Sequence, residues 1–272
     1  MRSSVTDSIT MRERFAAQSV IEELLHCQES RPPRSFLGRL FGASPLCPES
    51  EPWYRGAKGE LAVASLLTGL PHEWTVFHAL PVGSGGYGIN HLVVGPGGVF
   101  TINTRHYSGQ EVWVAGHTML ISGRGTNDIR NAELEASRVG AMLRERMPML
   151  PPVQPVIALV GAKHVIVRAR PRKVRVIEAG DLVSWLTNLV VVMNESELDL
   201  LVDILDEPST WQAAPVVVHP EVWDKFAVLD HEVRSARFLR AGWTLAGMLA
   251  LVGASVSVLP LLLQSMAGGL LP

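Results

Sequence analysis

Asn103 and Arg105 stand two residues apart in the run VFTINTR, and a strand there points both side chains to one face while Thr104 points to the other. An amide beside a guanidinium suits recognition better than proton transfer. Arg105 keeps its proton near neutral pH, so it is neither acid nor base, but its planar fork matches a phosphate or a carboxylate. Glu60 lies in the first turn of a helical stretch, 59–70, where a carboxylate complements the positive end of the helix dipole. His91 and His106 flank the same strand positions and are metal-capable, yet alternation sends both to the opposite face, which makes them packing or hydrogen-bonding residues. The glycines of Gly83-Ser84-Gly85-Gly86 are followed by no Gly-Lys-Ser/Thr, so they form a connection and not a phosphate loop. One dense basic run, His164, Arg168, Arg170, Arg172, Lys173 and Arg175, reads as a solvated hairpin surface or as a phosphate contact; no aromatic stacking residue is interleaved in it.

The elements that must position these groups are legible in outline. Segments 88–94 and 99–105 flank Gly95-Pro96-Gly97-Gly98, a strong hairpin signal. Segment 74–80 is a first strand, and 110–115 and 117–121 are two short ones around Gly116. Segment 127–147 is a helix carrying Ile129, Ala132, Val139 and Leu143, stopped by Pro148. The near-continuous apolar runs 153–161 and 174–177 mark strands covered on both faces. Segments 180–189 and 196–205 are helices. This order predicts an α/β fold.

Arg55-Gly56-Ala57-Lys58-Gly59-Glu60, followed by Ile89-Asn90-His91-Leu92-Val93-Val94-Gly95-Pro96-Gly97-Gly98-Val99-Phe100, resembles the nuclease-related domain (NERD) family, a branch of the restriction-endonuclease-like nucleases. The resemblance spans roughly 53–161 and implies a mixed central sheet flanked by helices. It also implies that Glu60, Asn90, Asn103 and Arg105 cluster at the family's active-site positions, with Asn131 where a glutamine is frequent. Three of those positions are altered: Asn90 and Asn103 replace carboxylates, and Arg105 replaces a lysine. In active relatives the carboxylates hold Mg²⁺, which activates water and steadies the phosphate. With Glu60 as the remaining anion of the four, metal binding is expected to be lost, and Arg105 is free to bind phosphate or to pair with Glu60 in the vacated position.

Length and composition set the frame. The chain has 272 residues, 47% hydrophobic and 18% charged, with a net charge of −2, so any nucleic-acid contact needs a local basic patch. Cys27 and Cys47 suggest reduced thiols. No charged residue follows Arg240, and 241–263 as a helix would span about 35 Å, enough to cross a hydrocarbon core of about 30 Å. Arg234, Arg237 and Arg240 precede that segment and Trp243 opens it, which predicts a single pass of the cell membrane with the N-terminal bulk cytoplasmic; the absence of a secretory signal in the first residues agrees. The expected organisation is an N-terminal extension and linker (1–52), the NERD-like domain (53–207, motif-bearing part 53–161), a spacer and juxtamembrane helix (208–240) and a transmembrane helix (241–263). Within the extension, 35–42 is short and amphipathic; it is expected to cover the domain, since so few residues bind a membrane surface weakly by themselves.

Together these readings predict a membrane-anchored, catalytically degenerate nuclease fold that binds nucleic acid or a protein partner. Nucleic-acid contacts would fall to Arg105, Arg168, Arg170, Arg172 and Lys173. No cofactor is expected. The alternatives are an active nuclease using Mg²⁺ and a module that binds only proteins.

Overall fold

A computed structural model describes residues 10–29, 32, 34–81, 88–211 and 220–268; the loop glycines at 83–86 lie outside them. In chain order the helices and strands are α1 (Gln18–Glu29), α2 (Phe36–Leu40), α3 (Glu51–Leu67), β1 (Thr75–Leu80), β2 (Ile89–Gly95), β3 (Gly98–His106), β4 (Glu111–Ala115), β5 (Thr118–Ile121), β6 (Arg124–Thr126), α4 (Asp128–Arg146), β7 (Gln154–Val160), β8 (His164–Ala169), β9 (Arg175–Glu178), α5 (Leu182–Thr187), α6 (Glu195–Asp206) and α7 (Pro220–Gly268). Two compact units result, one from Met1–Leu24 with Glu51–Val222 and one from Leu25–Ser50 with Trp223–Pro272.

The larger unit is built on the expected hairpin. Gly95 pairs with Gly98 across a two-residue turn, and β2 and β3 run antiparallel from there. A five-stranded mixed sheet follows in the order β1-β2-β3-β7-β9, with β3, β7 and β9 parallel. The central strands β3 and β7 are buried along nearly their whole length, as apolar runs covered on both faces should be. On one face Val63 and Leu67 of α3 and Leu182 and Leu186 of α5 pack on Val93, Phe100 and Ile102. On the other, Val139 and Leu143 of α4 and Leu201 and Leu205 of α6 pack on Leu92, Val94 and Val99. A capping box at Asn194 and Glu197 starts α6 by satisfying its first backbone N–H groups.

A second mixed sheet, β6-β5-β4-β8, goes beyond the expectation of one central sheet. It shares a core with Ile129 and Ala132 of α4 and with Ile157 and Leu159 of β7. The basic run at 164–175 is therefore not simply a hairpin surface: its first half is β8, paired in parallel with β4.

The smaller unit joins α2 to α7. Ser35 caps α2 by accepting from the Gly38 N–H, and Arg34 pairs with Glu232 at 2.8 Å. Phe36, Leu37, Leu40 and Phe41 are all exposed. Spacer-side helix and apolar segment form one element, α7, of which Glu221–Ser255 is long and apolar enough to cross a membrane.

Candidate functional site

The β2–β3 hairpin, α3 and α4 enclose a cavity of about 570 Å³ whose wall includes Glu60, Asn90, Asn103 and Arg105. The four residues expected to cluster thus share one cavity. Gly59 lets α3 come this close: a Cβ there would lie 3.0 Å from the His106 Cβ and 3.3 Å from a Thr104 methyl. Its successor Glu60 consequently faces the cavity from a position that is 4% exposed. Thr104 and His106 point to α3, whereas Asn103 and Arg105 point toward α4, as strand alternation requires.

Asn90 has both ends of its amide engaged. Its Nδ2 donates to Glu60 Oε1 at 2.6 Å, and its Oδ1 accepts the Thr104 backbone N–H at 2.8 Å. Opposite Asn90, Ala79 adopts a left-handed φ of 49° between the His78–His91 and Leu80–Ile89 pairs, and its carbonyl accepts from Arg14 Nε at 2.7 Å. That break in the ladder sits where the Asn90 side chain turns from its strand toward α3. Burial pushes the Glu60 carboxyl up to about 8, against the lowering effects of the nearby Arg105 charge and the Ala17 backbone N–H. Glu60 is mostly protonated at pH 7 in consequence.

Arg105 does not pair with Glu60, the partner offered for it by sequence. Its Nε donates to Asp128 Oδ1 at 2.7 Å and its Nη1 to the Thr104 carbonyl at 3.1 Å; Tyr107 donates to the other Asp128 oxygen at 2.6 Å. The physical reason is position: Arg105 points toward α4, where Asp128 stands in the first turn, while Glu60 on α3 is held by Asn90. Asp128 and Tyr107 are residues that sequence reasoning missed.

Glu135 is the other. It lies on the cavity wall beside Asn103, so Glu60 is not the sole acid there. Asn103 is 3% exposed, and burial raises the Glu135 carboxyl above its usual range against the lowering effects of the Asn103 amide and of the Arg105 and Arg138 charges. Arg138 and Asn131 complete the α4 side of the wall. The signal was present in α4: Asp128, Asn131, Glu135 and Arg138 recur at helical spacing along the border of the stripe formed by Ile129, Ala132, Ala136 and Val139.

His91 and His106 take structural parts. His91 is fully buried with Nδ1 2.8 Å from His78 Nδ1, and His106 donates from Nδ1 to the Arg55 carbonyl at 2.9 Å.

Residues 55–160 match the nuclease-related domain (NERD) family. The NERD segment runs from α3 to the end of β7 and contains every polar residue of the cavity described above. No curated protein and no solved structure matches the chain.

A divalent cation, the cofactor that the NERD resemblance implies, fits these residues poorly. Mg²⁺ requires anionic oxygens in near-octahedral array. Glu60 is held near neutral, Asn90 has spent its carbonyl oxygen on a backbone N–H, and Asp128 is committed to Arg105 and Tyr107. Among the described residues no three acidic, His or Cys side chains are grouped so as to hold a metal.

Of the basic residues expected to contact nucleic acid, Arg105 lies inside the NERD segment and the other four lie outside it. Arg168 lies exposed on β8, and Arg170, Arg172 and Lys173 are exposed in the connection to β9. Arg172 and Lys173 line a second cavity, of about 670 Å³, together with Arg144, Arg175 and Trp185. The Arg175 guanidinium stands 5.4 Å from the centre of the Trp185 ring. The aromatic missing from the linear run is thus supplied by α5.

Proposed function

We propose that this chain is a membrane-anchored NERD module that binds phosphodiester backbones without hydrolysing them. The observation that carries the reading is the Asn90 amide, which bridges protonated Glu60 to the backbone of β3 and fills with hydrogen bonds the place where carboxylates would gather a metal. Arg105 contributes field and shape to the cavity. The cations around the second cavity, Arg172 and Lys173 with Arg144 and Arg175, supply phosphate contacts, and Arg168 and Arg170 extend them along an exposed edge. Helix α7 is the anchor, with the three arginines before its uncharged run keeping the folded domain on the cytoplasmic side.

The full chain in detergent micelles is to be titrated with Mn²⁺ by calorimetry, assayed for cleavage of single- and double-stranded DNA, and measured for DNA affinity across a salt series. Expected are no metal binding tighter than millimolar, no cleavage, and salt-dependent affinity. The slope of log affinity against log salt should fall by about 0.7–0.9 when Arg172→Gln or Lys173→Gln removes one phosphate contact. Affinity that ignores salt, or no DNA binding at all, would leave the protein-binding module in its place.

Glu135 favours one second reading. Its buried carboxyl beside Asn103 supplies an acid where the strand lacks one, so a metal held by Glu60 and Glu135 would make the protein a divalent-metal-dependent nuclease. Tight Mn²⁺ binding and cleavage, both lost in Glu60→Gln and in Glu135→Gln, would establish that instead.

A further inference from the structure

The short helix α2 leaves four large apolar side chains open: Phe36 is 78% exposed, Leu37 61%, Leu40 44% and Phe41 52%. Positions i, i+1, i+4 and i+5 fall on one side of a helix, so these form one surface. Its place along α7 is fixed by three contacts. The Trp243 indole N–H donates to the Leu40 carbonyl at 2.9 Å, the Phe41 and Trp243 rings lie 5.2 Å apart, and Arg240 donates from Nε to the Gly42 carbonyl at 3.1 Å. Gly42, at φ 72°, turns the chain so tightly onto α7 that a Cβ would meet the Ala236 carbonyl oxygen at 2.5 Å. The C-terminal end of α2 is thereby held at the point where the last charge of the sequence, Arg240, gives way to the uncharged run.

From this placement we infer that α2 is a second membrane element, lying in the lipid interface on the side of the bilayer that carries the folded domain, with Phe36, Leu37, Leu40 and Phe41 among the upper acyl chains. The inference rests on the reading of α7 as a membrane span. Tryptophan prefers the interfacial depth, and a segment bonded to Trp243 shares that depth. Phe238, 79% exposed and about one and a half turns before Trp243, adds apolar surface on α7, and exposed Arg39 meets lipid phosphates. A helix of this length would bind a bilayer feebly when free. Tethered to a spanning helix, it faces the lipid at a high effective concentration and needs no affinity of its own.

Photo-crosslinking in the full chain tests this. Benzoylphenylalanine is placed at Phe36 in one protein and at Leu251 in another, and both are reconstituted into vesicles of phosphatidylcholine and phosphatidylglycerol. Phospholipid adducts at both positions are expected. Lipid at Leu251 with none at Phe36 would overturn the role of α2 and leave the anchor standing; no lipid at either would overturn the anchor itself. Adducts from Phe36 to a second protein molecule would overturn the assignment in favour of a protein interface. Gly42→Leu, which pushes α2 off α7, should lower the lipid adduct at Phe36 several-fold while that at Leu251 is kept; an unchanged ratio would show that the Gly42 contact does not place α2.

Discussion

A carboxyl held up to about 8 carries its proton through most of the physiological range, and Glu60 is such a carboxyl. Unfolded, it would titrate near the ordinary glutamate value of 4.5, so between 4.5 and about 8 the folded state binds more protons than the unfolded one. Stability from this group therefore falls as pH rises across that window, by at most about 1.4 kcal/mol per pH unit. Glu60→Gln keeps an acceptor for Asn90 and removes the titration; denaturant unfolding from pH 6.5 to 8 should show the slope in the parent and not in the variant. The buried His78–His91 pair acts with the opposite sign. Burial holds both imidazoles below the usual 6.5, so protonation of the unfolded chain drains stability as pH drops under that value. His91→Gln should lower stability overall yet flatten the acid limb. At this scale the shared face of Asn103 and Arg105 was legible, because strand alternation is local. Asp128, Tyr107 and Glu135 were not, because their meeting with that face is made by tertiary packing of α4.

Among the elements, α3 and the β2–β3 hairpin decide the cavity. The hairpin was visible in glycine positions and apolar alternation, whereas α3 begins at Glu51 and not at 59, so Glu60 lies mid-helix and Glu51, not Glu60, is the acid of its first turn. The close approach of α3 to β3 depends on Gly59, so Gly59→Val should cost about 1–3 kcal/mol through overpacking against His106 and Thr104. It should also separate Glu60 from Asn90; thermal unfolding measures the first effect and the loss of the Glu60 pH slope the second. Helix α4 was placed correctly, and Asn131 was singled out on it, but Asp128 and Glu135 on the same polar stripe were passed over. The strand character of β8 was hidden by its basic flank. It is an edge strand with Ile166 and Val167 each about two-fifths exposed (41% and 43%), so it lacks the alternation a half-buried strand prints into sequence.

For the molecule as a whole, the uncharged run after Arg240 is the plainest feature of the sequence, and in the structure it belongs to an α7 that starts well before it. Alkaline carbonate washing should leave the full chain in the membrane fraction and release a chain ending at Arg240, as immunoblotting of the two fractions would show. Composition could not reveal the pairing of α2 with Trp243, since the two lie about two hundred positions apart and meet only after folding.

The grip of Asn90 also bears on history. An aspartate at that position would set a second carboxyl oxygen against Glu60 across a gap that now measures 2.6 Å, and an aspartate at 103 would stand beside Glu135. Each single step back toward an acidic centre would press acid upon acid, with one of each pair forced to keep a proton. If the proposed loss of hydrolysis holds, regaining it would take several changes at once, so an exchange of acid for amide here would work as a ratchet, easy to pass in one direction and hard to reverse.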